Sequence, residues 1–476
     1  MKKNFLYNVI YQLLILILPL ITIPYVSRVL GADGIGVYSY TYSIVYYFMI
    51  IAMLGLNNYG NRTIAKVRDN KKQLSKEFCS IYYLQLIMSI IMVILYLLYV
   101  IIFDNKYKTI ALIQTLYVIS SVFDVNWFFF GIEKFKLTIT RNTIIKLSSL
   151  ILIFAFVKTP DDVWKYTVIL AGSTLFSNMV LMTFLRKYIS FEKVYKKDIL
   201  KHFKPCLVLF LPVIAVSIYK IMDKIMLGIL STVKEVGFYE NAEKIINVPL
   251  TIITALGTVM LPRVSNMLSK NQEDEVKKIL AKTMPFIMFL SLPMVLGLIA
   301  VSREFSLIFF GQEFEKSGYL IQLLSITIIF LSWGNVIRTQ YLIPKERDRE
   351  YVISAFLGAI INFVMNIVFI PKYKSIGACI GTISAEFVVM FYQSWKVRKE
   401  LPLKKYIKDS IPFLIKSIIM LIIILILGKI VKENKLIKLI LQICIGAIVY
   451  GLLNIRYILN NVNLDKFLNK FRKENA

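Results

Sequence analysis

The most regular feature of this sequence is a series of apolar runs separated by short charged or Pro/Gly-containing stretches. Each run is about 20 residues long, the length of a helix that crosses the roughly 30 Å hydrocarbon core of a bilayer. The pattern predicts an all-α polytopic membrane protein with about 14 transmembrane helices. They are predicted at residues 9–27, 37–59, 78–103, 109–130, 142–158, 164–185, 205–229, 240–262, 284–302, 318–343, 351–370, 376–396, 411–430 and 437–459.

The composition supports this class. Of 476 residues, 57% are hydrophobic and 18% are charged, and the mean hydropathy is +0.67. These values exclude a soluble multidomain enzyme, in which about a quarter of the residues are charged. The chain has 57 Lys and Arg against 29 Asp and Glu, a net charge of +28. In a membrane protein this excess indicates cytoplasmic loops rather than a nucleic-acid partner.

The distribution of positive residues predicts the orientation. Alternate connections, beginning with the N-terminus, carry 37 Lys and Arg, and the other connections carry 15. Positively charged loops stay in the cytoplasm, so both termini are predicted to be cytoplasmic, with an uncleaved first span. The outer connections are short, the longest being about 15 residues around positions 303–318. They leave no room for an extracytoplasmic domain.

The chain also contains an internal repeat. The tetrapeptide IGVY at residues 35–38 matches VGFY at residues 236–239, an offset of 201, and the same offset relates Arg62 to Arg263. Six spans per repeat give both halves one orientation, with a transport site expected between them. The predicted parts are an N-terminal six-helix lobe (1–185), a basic cytoplasmic linker (186–204), a C-terminal six-helix lobe (205–396), and helices 13 and 14 with a cytoplasmic tail (397–476).

Motifs for covalent chemistry are absent from the sequence. There is no GxxxxGK[ST] loop, HExxH, GxSxG or paired acidic motif. The four cysteines have no CxxC spacing, and the single histidine, His202, is predicted to be a surface residue of the linker. We therefore expect no catalytic residue, no cofactor and no metal. A transporter driven by a gradient fits best.

Ionisable residues within spans are the best candidates for a site, because a charge in hydrocarbon costs at least about 2.5–3.5 kcal/mol. The seventh span holds Lys220, Asp223 and Lys224, whose spacing places them on one helix face. We expect a net-positive substrate-binding patch that faces the cavity between the lobes. Alternatively, Asp223 neutralises one lysine and the other reaches outward to the membrane surface.

Arg28 is a further candidate at the end of the first span. Pro19 and Pro24 precede it, and they should interrupt helical hydrogen bonding and let the segment bend. Arg28 could contact the substrate, or it could be an interfacial arginine with Asp33 as its partner.

Arg338 in the tenth span and Asp124 in the fourth complete the substrate-binding candidates. Arg338 could instead extend to the cytoplasmic surface. Asp124 and Asn126 could instead form hydrogen bonds between helices. Glu386 and Lys416 are weaker candidates.

Several stretches resemble the Wzx-type oligosaccharide flippases of the multidrug/oligosaccharidyl-lipid/polysaccharide exporter superfamily. They are SRVLGADGIGVY (27–38), DVNWFFFGIEKFK (124–136), DKIMLGILSTVKEVGFYENAEKI (223–245), MLPRVSNML (260–268) and GAIINFVMNIVFIPKYKSIGACIGTISAE (358–386). These stretches occur in the order of the family and extend over most of the first twelve spans.

The resemblance implies a 14-helix fold with two six-helix lobes around a central cavity. It implies transfer of undecaprenyl-pyrophosphate-linked oligosaccharide repeat units from the inner to the outer leaflet of the bacterial plasma membrane, for capsular or O-antigen polysaccharide, by alternating access. Basic cavity residues would meet the pyrophosphate, a role that falls on Arg28, Lys224 and Lys220 here. Membrane lipids, a polysaccharide polymerase and other assembly proteins are the implied partners.

Three other functions stay open at this point. A lipid II or spore-envelope lipid flippase shares the fold and the class of lipid. A cation-coupled drug exporter of the same superfamily would favour an acidic ion site. A membrane polymerase or ligase of lipid-linked sugars would need acid, base or cationic groups in a sizeable outer loop.

Overall fold

The protein is built from helices. The computed structural model describes residues 2–103, 106–431 and 434–461, with side chains from residue 18 onward except at positions 212, 219, 258, 460 and 461. Within these ranges every regular element is helical. The α-helices are α1 (Lys2–Met53), α2 (Leu56–Val67), α3 (Lys71–Phe103), α4 (Lys108–Val122), α5 (Asn126–Gly131), α6 (Phe135–Phe156), α7 (Val163–Thr183), α8 (Lys196–Leu230), α9 (Val233–Ser269), α10 (Glu273–Phe309), α11 (Glu315–Ser325), α12 (Thr327–Ile337), α13 (Asp348–Tyr373), α14 (Ser375–Val397), α15 (Leu403–Ile430), α16 (Lys435–Leu453) and α17 (Ile455–Asn461).

The helices confirm a polytopic membrane protein. Twelve helical segments of the described ranges are long and apolar enough to cross a membrane. The predicted number of 14 is approximate. The second predicted span and the last part of the first fall in one of these segments, Leu18–Val67. The seventh lies on α8, which is not among the twelve.

Helix α1 changes direction at a glycine. Its 52 residues would extend about 78 Å if straight, more than twice the thickness of the hydrocarbon core. The expected interruption at Pro19 and Pro24 is not where the helix ends. It continues past both prolines and breaks at Gly31, whose φ of 66° and ψ of −179° are non-helical. Such a positive φ suits glycine because a Cβ would strain it.

The chain folds into two compact units. The first unit comprises Met1–Asn241 and Ala359–Gly381, and the second comprises Ala242–Gly358 and Thr382–Ala476. The predicted six-helix lobes, linker and C-terminal appendage stay a prediction. The part of the predicted cytoplasmic tail beyond residue 461 lies outside the described residues.

An aromatic core holds one end of the first unit together. Phe78, Trp127, Phe128 and Phe129 are all fully buried in it. The indole of Trp127 donates to Gln85 Oε1 (2.9 Å), so the polar atom of this large side chain is satisfied. This core fixes α2, α3 and α5 against α8, the helix with three of the six candidate substrate-binding residues.

The second unit is organised around α10, which packs against α11, α15 and α16. Val301, Met420 and Ile424 are buried in its core. The ammonium of Lys416, a weak sequence candidate, donates to Asn454 Oδ1 (3.1 Å) within this unit. Lys416 therefore links α15 to the end of α16.

Candidate functional site

Asp223 is a buried connection between three helices of the first unit. Its side chain is 1% exposed. Oδ2 accepts a hydrogen bond from the Tyr239 hydroxyl of α9 (2.8 Å), and Oδ1 accepts one from the Asn366 amide of α13 (2.6 Å). The amide of Asn366 also donates to Asn362 Oδ1 (3.1 Å). Asp223 thus ties α8 to α9 and α13 through neutral donors.

Lys224 forms an ion pair with an acid that the sequence analysis did not select. Its ammonium lies 2.7 Å from Glu240 Oε2, and the two side chains are only 12% and 15% exposed. The Ser39 hydroxyl of α1 donates to the same carboxylate oxygen (2.8 Å). Such a shielded pair interacts more strongly than one at the protein surface. Helices α1, α8 and α9 meet at this pair.

Arg28 lies beside the same part of α9. The Ser27 hydroxyl accepts a hydrogen bond from the Asn241 amide (2.8 Å), and Asn241 directly follows Glu240. Neighbouring Cα atoms are about 3.8 Å apart, so the backbone of Arg28 is close to this region, and its side chain is exposed. Ser27, the neighbour of Arg28, and Lys224 therefore contact adjacent residues of α9.

Lys220 is exposed and lies one helical turn before Lys224 on α8. Three basic residues (Arg28, Lys220 and Lys224) and two acidic residues (Asp223 and Glu240) give this group a formal charge of +1. We call these five residues the basic cluster. Its residual positive charge could hold an anionic group. The binding role of its members stays a prediction.

The repeated tetrapeptides contact each other. A Cβ on Gly36 would lie 1.8 Å from the carbonyl oxygen of Val233, and a Cβ on Gly237 would lie 2.0 Å from that of Ala32. The offset of 201 relates Gly36 to Gly237 and Ala32 to Val233, so the two contacts are equivalent under the repeat. Both positions need glycine because the backbones are too close for any side chain. This crossing fixes the start of α9 against α1 next to the basic cluster.

Asp124 belongs to another polar group of the first unit. Its Oδ1 accepts a hydrogen bond from the Asn126 amide (2.6 Å), and Asn126 Oδ1 accepts one from Arg141 (3.0 Å). Arg141 is 7% exposed and also donates to the Ser177 carbonyl (3.0 Å). These bonds connect α5, α6 and α7, which agrees with the helix-packing alternative for Asp124 and Asn126. Its role in substrate binding stays a prediction.

Arg338 lies in the second unit, in a π-helix at Arg338–Leu342. Its guanidinium is 5.5 Å from the centre of the Tyr351 ring. π-Helical turns interrupt α-helices at functional sites more often than elsewhere. Its role in substrate binding also stays a prediction.

The prediction that His202 is a surface residue was wrong. Its side chain is 1% exposed, and Nδ1 forms a hydrogen bond with the Tyr59 hydroxyl (2.7 Å). Nε2 lies 3.4 Å from Glu77. Helix α8 begins at Lys196, before the seventh apolar run, and turns His202 toward α2 and α3. Burial lowers the pKa of His202 to about 4, although Glu77 acts in the opposite direction.

The sequence analysis did not select Glu240, Tyr239 or Asn366. Their contacts with Lys224 and Asp223 depend on which helices pack together. One signal was present: the offset of 201 relates Ser39 to Glu240, and these two residues form a hydrogen bond. Among the described residues, no group of three His, Cys, Asp or Glu side chains is arranged to hold a metal ion.

Comparisons with known proteins agree on one superfamily. The model of the family described as polysaccharide biosynthesis protein matches residues 1–268, and one described as MatE matches residues 209–368. A putative O-antigen transporter of Shigella dysenteriae is 23% identical over 399 residues, which are 82% of this chain and 98% of that protein. The capsular polysaccharide biosynthesis protein CapF of Staphylococcus aureus is 21% identical over 408 residues, 83% of this chain and 99% of that protein.

A solved structure shares the fold. The inward closed conformation of the lipid II flippase MurJ aligns with a TM-score of 0.76 and 18% identity, covering 96% of this chain and 100% of that one. This likeness supports the fold class that the apolar pattern predicted.

Proposed function

The chain belongs to the polysaccharide biosynthesis protein family, and from that premise we propose that it flips undecaprenyl-pyrophosphate-linked oligosaccharide repeat units from the inner to the outer leaflet. The product would serve capsular or O-antigen polysaccharide synthesis. Relatives matched over nearly their whole length have transporter and capsular biosynthesis names, which supports this assignment. The proposal includes the bacterial plasma membrane as the location, cytoplasmic termini, and no covalent step.

The observation that carries the proposal is the shielded Lys224–Glu240 pair, next to the hydrogen bond between Asn241 and Ser27, the residue that precedes Arg28. A lysine at this depth needs an anionic partner, and Glu240 provides one when no substrate is bound. The pyrophosphate would replace Glu240 on Lys224 and recruit Arg28 and Lys220. Hydrogen bonds with an ionised donor or acceptor are about twice as strong as neutral ones, so a pyrophosphate could compete with Glu240 for Lys224.

The energetics fit a transporter without ATP hydrolysis. Unsatisfied sugar hydroxyls would cost several kcal/mol each in hydrocarbon, so the head group needs a polar path through the protein. An inside-negative potential favours outward movement of about two negative charges by roughly 4.6 kcal/mol per 100 mV. Alternating access, in which one lobe rocks against the other, would expose the path to each side in turn.

The first prediction is that Lys224→Ala and Arg28→Ala reduce transport at least about tenfold, because each removes a charge that pairs with the pyrophosphate. The measurement is the rate at which lipid-linked oligosaccharide becomes accessible on the far leaflet of proteoliposomes. Lys404→Ala is the control, since Lys404 is an exposed lysine of the second unit, outside the basic cluster. Wild-type rates in both Lys224→Ala and Arg28→Ala would remove these residues from the site.

The same assay separates the alternatives. Lipid II transported in preference to the lipid-linked repeat unit would favour a lipid II or spore-envelope lipid flippase, and coupled movement of a drug and a cation would favour an exporter. In cells that lack the gene, repeat units retained on the inner leaflet support the flippase. Unpolymerised units on the outer leaflet would instead support a polymerase or ligase.

A further inference from the structure

A second polar site lies next to the basic cluster. The first unit contains a pocket of about 710 Å³ between the start of the second half of α1, the end of α3, the start of α4 and the α8–α9 turn. Binding sites for small molecules typically measure about 300–1,000 Å³, so this volume suits a ligand of one or two sugar rings. None of the residues assigned to the basic cluster lines it.

Four aromatic rings contribute to its wall. Tyr40, Tyr99, Phe103 and Tyr107 all line the pocket. Tyr40 and Tyr107 meet edge to face with ring centres 6.2 Å apart, and Tyr99 and Phe103 are stacked at 5.9 Å. A Cβ on Gly228 would lie 2.1 Å from the Tyr40 ring, so that glycine leaves room for the ring. Rigid rings with a polar edge are suited to the apolar faces of sugars.

The polar groups of the wall are mixed in sign. Asp33 and Lys106 contribute one negative and one positive charge, and Ser231 and Thr232 contribute hydroxyls. Within the described part of the chain, Ser231 Oγ is buried and has no hydrogen-bond partner. Its hydroxyl can therefore form a hydrogen bond with a polar ligand in the pocket. This balanced wall suits a neutral polyol better than a dianion such as pyrophosphate.

The pocket continues the basic cluster along α8. Gly228 lies four residues beyond Lys224, a rise of about 6 Å, and Tyr40 follows Ser39, which contacts Glu240. Lys106 and Tyr107, and the turn between α8 and α9, are all on the outer side in the proposed topology. A pyrophosphate at Lys224 would therefore place its attached sugars in or near this pocket.

We propose that this pocket binds the sugars of the lipid-linked substrate nearest the pyrophosphate and contributes to selection among oligosaccharides. The inference rests on the proposed flippase function. Lys224 and Arg28 would recognise the phosphate that all such lipids share. The aromatic pocket would recognise the saccharide in which they differ.

The test compares two probes in proteoliposomes: lipid-linked oligosaccharide extracted from the source bacterium, and undecaprenyl pyrophosphate without sugar. The variants are Tyr107→Ala and Ser231→Ala, and the reconstitution uses no detergent with a sugar head group. We expect a half-saturating concentration of the oligosaccharide lipid about five- to tenfold higher in Tyr107→Ala. Transport of undecaprenyl pyrophosphate should not change. Ser231→Ala should shift the same constant in the same direction, by a smaller factor.

Two control variants address folding and general aromatic effects. Tyr107→Phe keeps the ring and should retain most of the affinity, which shows that the site is folded. Trp164 is another exposed aromatic residue with a lysine, Lys165, beside its ring, and Trp164 does not line the pocket. The second control is therefore Trp164→Ala. It should leave both probes unaffected.

The outcomes separate this inference from the proposed function. If wild-type protein transports neither probe, the flippase proposal itself fails. The saccharide-binding proposal is contradicted if wild-type protein transports the oligosaccharide lipid and Tyr107→Ala has the same half-saturating concentration. It is also contradicted if Tyr107→Ala impairs transport of both probes equally. Both proposals are supported if Lys224→Ala loses transport of both probes and Tyr107→Ala loses affinity only for the oligosaccharide lipid.

Discussion

Individual shielded charges in this protein are neutralised or hydrogen-bonded by residues on other helices. Lys224 meets Glu240, Asp223 meets Tyr239 and Asn366, and Arg141 meets Asn126. An ionised group without such partners would be expensive to hold away from water. These contacts explain how the helices can carry charged side chains at membrane depth.

His202 gives a prediction at the residue scale. Its pKa is about 4 in the folded protein, against an ordinary value near 6.5, so the unfolded chain binds more protons between these values. Stability is therefore complete near pH 7 and falls as the pH drops from about 6.5 toward about 4. Between pH 7 and pH 5 the loss from this group would be about 2 kcal/mol at most.

The measurement is the melting temperature of the purified protein across this pH range. Glu77, Asp198 and Lys201 also face His202. The comparison is therefore with His202→Gln, which keeps these three residues. The variant should lose stability less steeply on acidification than the wild type. Parallel pH profiles would contradict the assignment.

The sequence identified charged candidate residues and helical segments better than it identified which residues contact each other. It selected Lys220, Asp223 and Lys224 because charges within an apolar run are conspicuous. It could not select Glu240 or Asn366, whose function depends on which helices pack together. His202 was assigned to the surface because a basic stretch is usually exposed, yet the helix that follows begins earlier than its apolar run.

At the scale of elements, the crossing of α1 and α9 depends on two glycines. Gly237→Ala should destabilise the protein by about 1–3 kcal/mol, because its Cβ would overlap the Ala32 carbonyl and force the helices apart. Gly172→Ala on α7 is the matched control, since its Cβ would contact nothing within 4 Å. The control should be neutral or slightly stabilising. Equal melting temperatures for the two variants would show that the crossing can relax.

The positions of the helices follow from hydropathy, but their breaks follow from local backbone geometry. Most apolar runs lie on helices, but α3, α6, α8, α9, α10 and α15 each begin about seven to eleven residues before the predicted span. Apolar length did not indicate that α1 would continue through two prolines and break at Gly31, because a proline removes one hydrogen bond and the flanking turns can survive.

At the scale of the whole molecule, the orientation in the membrane is open to direct measurement. In a cysteine-free background, Lys108→Cys should react with an impermeant thiol reagent from outside, and Lys193→Cys should react only after the inner face is exposed. Both residues are exposed, and Asp104 and Asn105 before Lys108 lie outside the described residues. Native Cys79, Cys206 and Cys379 are buried, and Cys444 is exposed, so all four should be replaced. The reverse pattern would invert the topology.

The Lys224–Glu240 ion pair also has a consequence for the energy balance of the cell. An uncompensated lysine in a wet cavity would attract chloride and other small anions from the cytoplasm. Their passage would dissipate the membrane voltage. With Glu240 already on Lys224, a small monovalent ion has little to gain by entering, whereas a pyrophosphate brings enough charge to compete. Without bound substrate, the transporter would therefore not conduct small anions across the membrane.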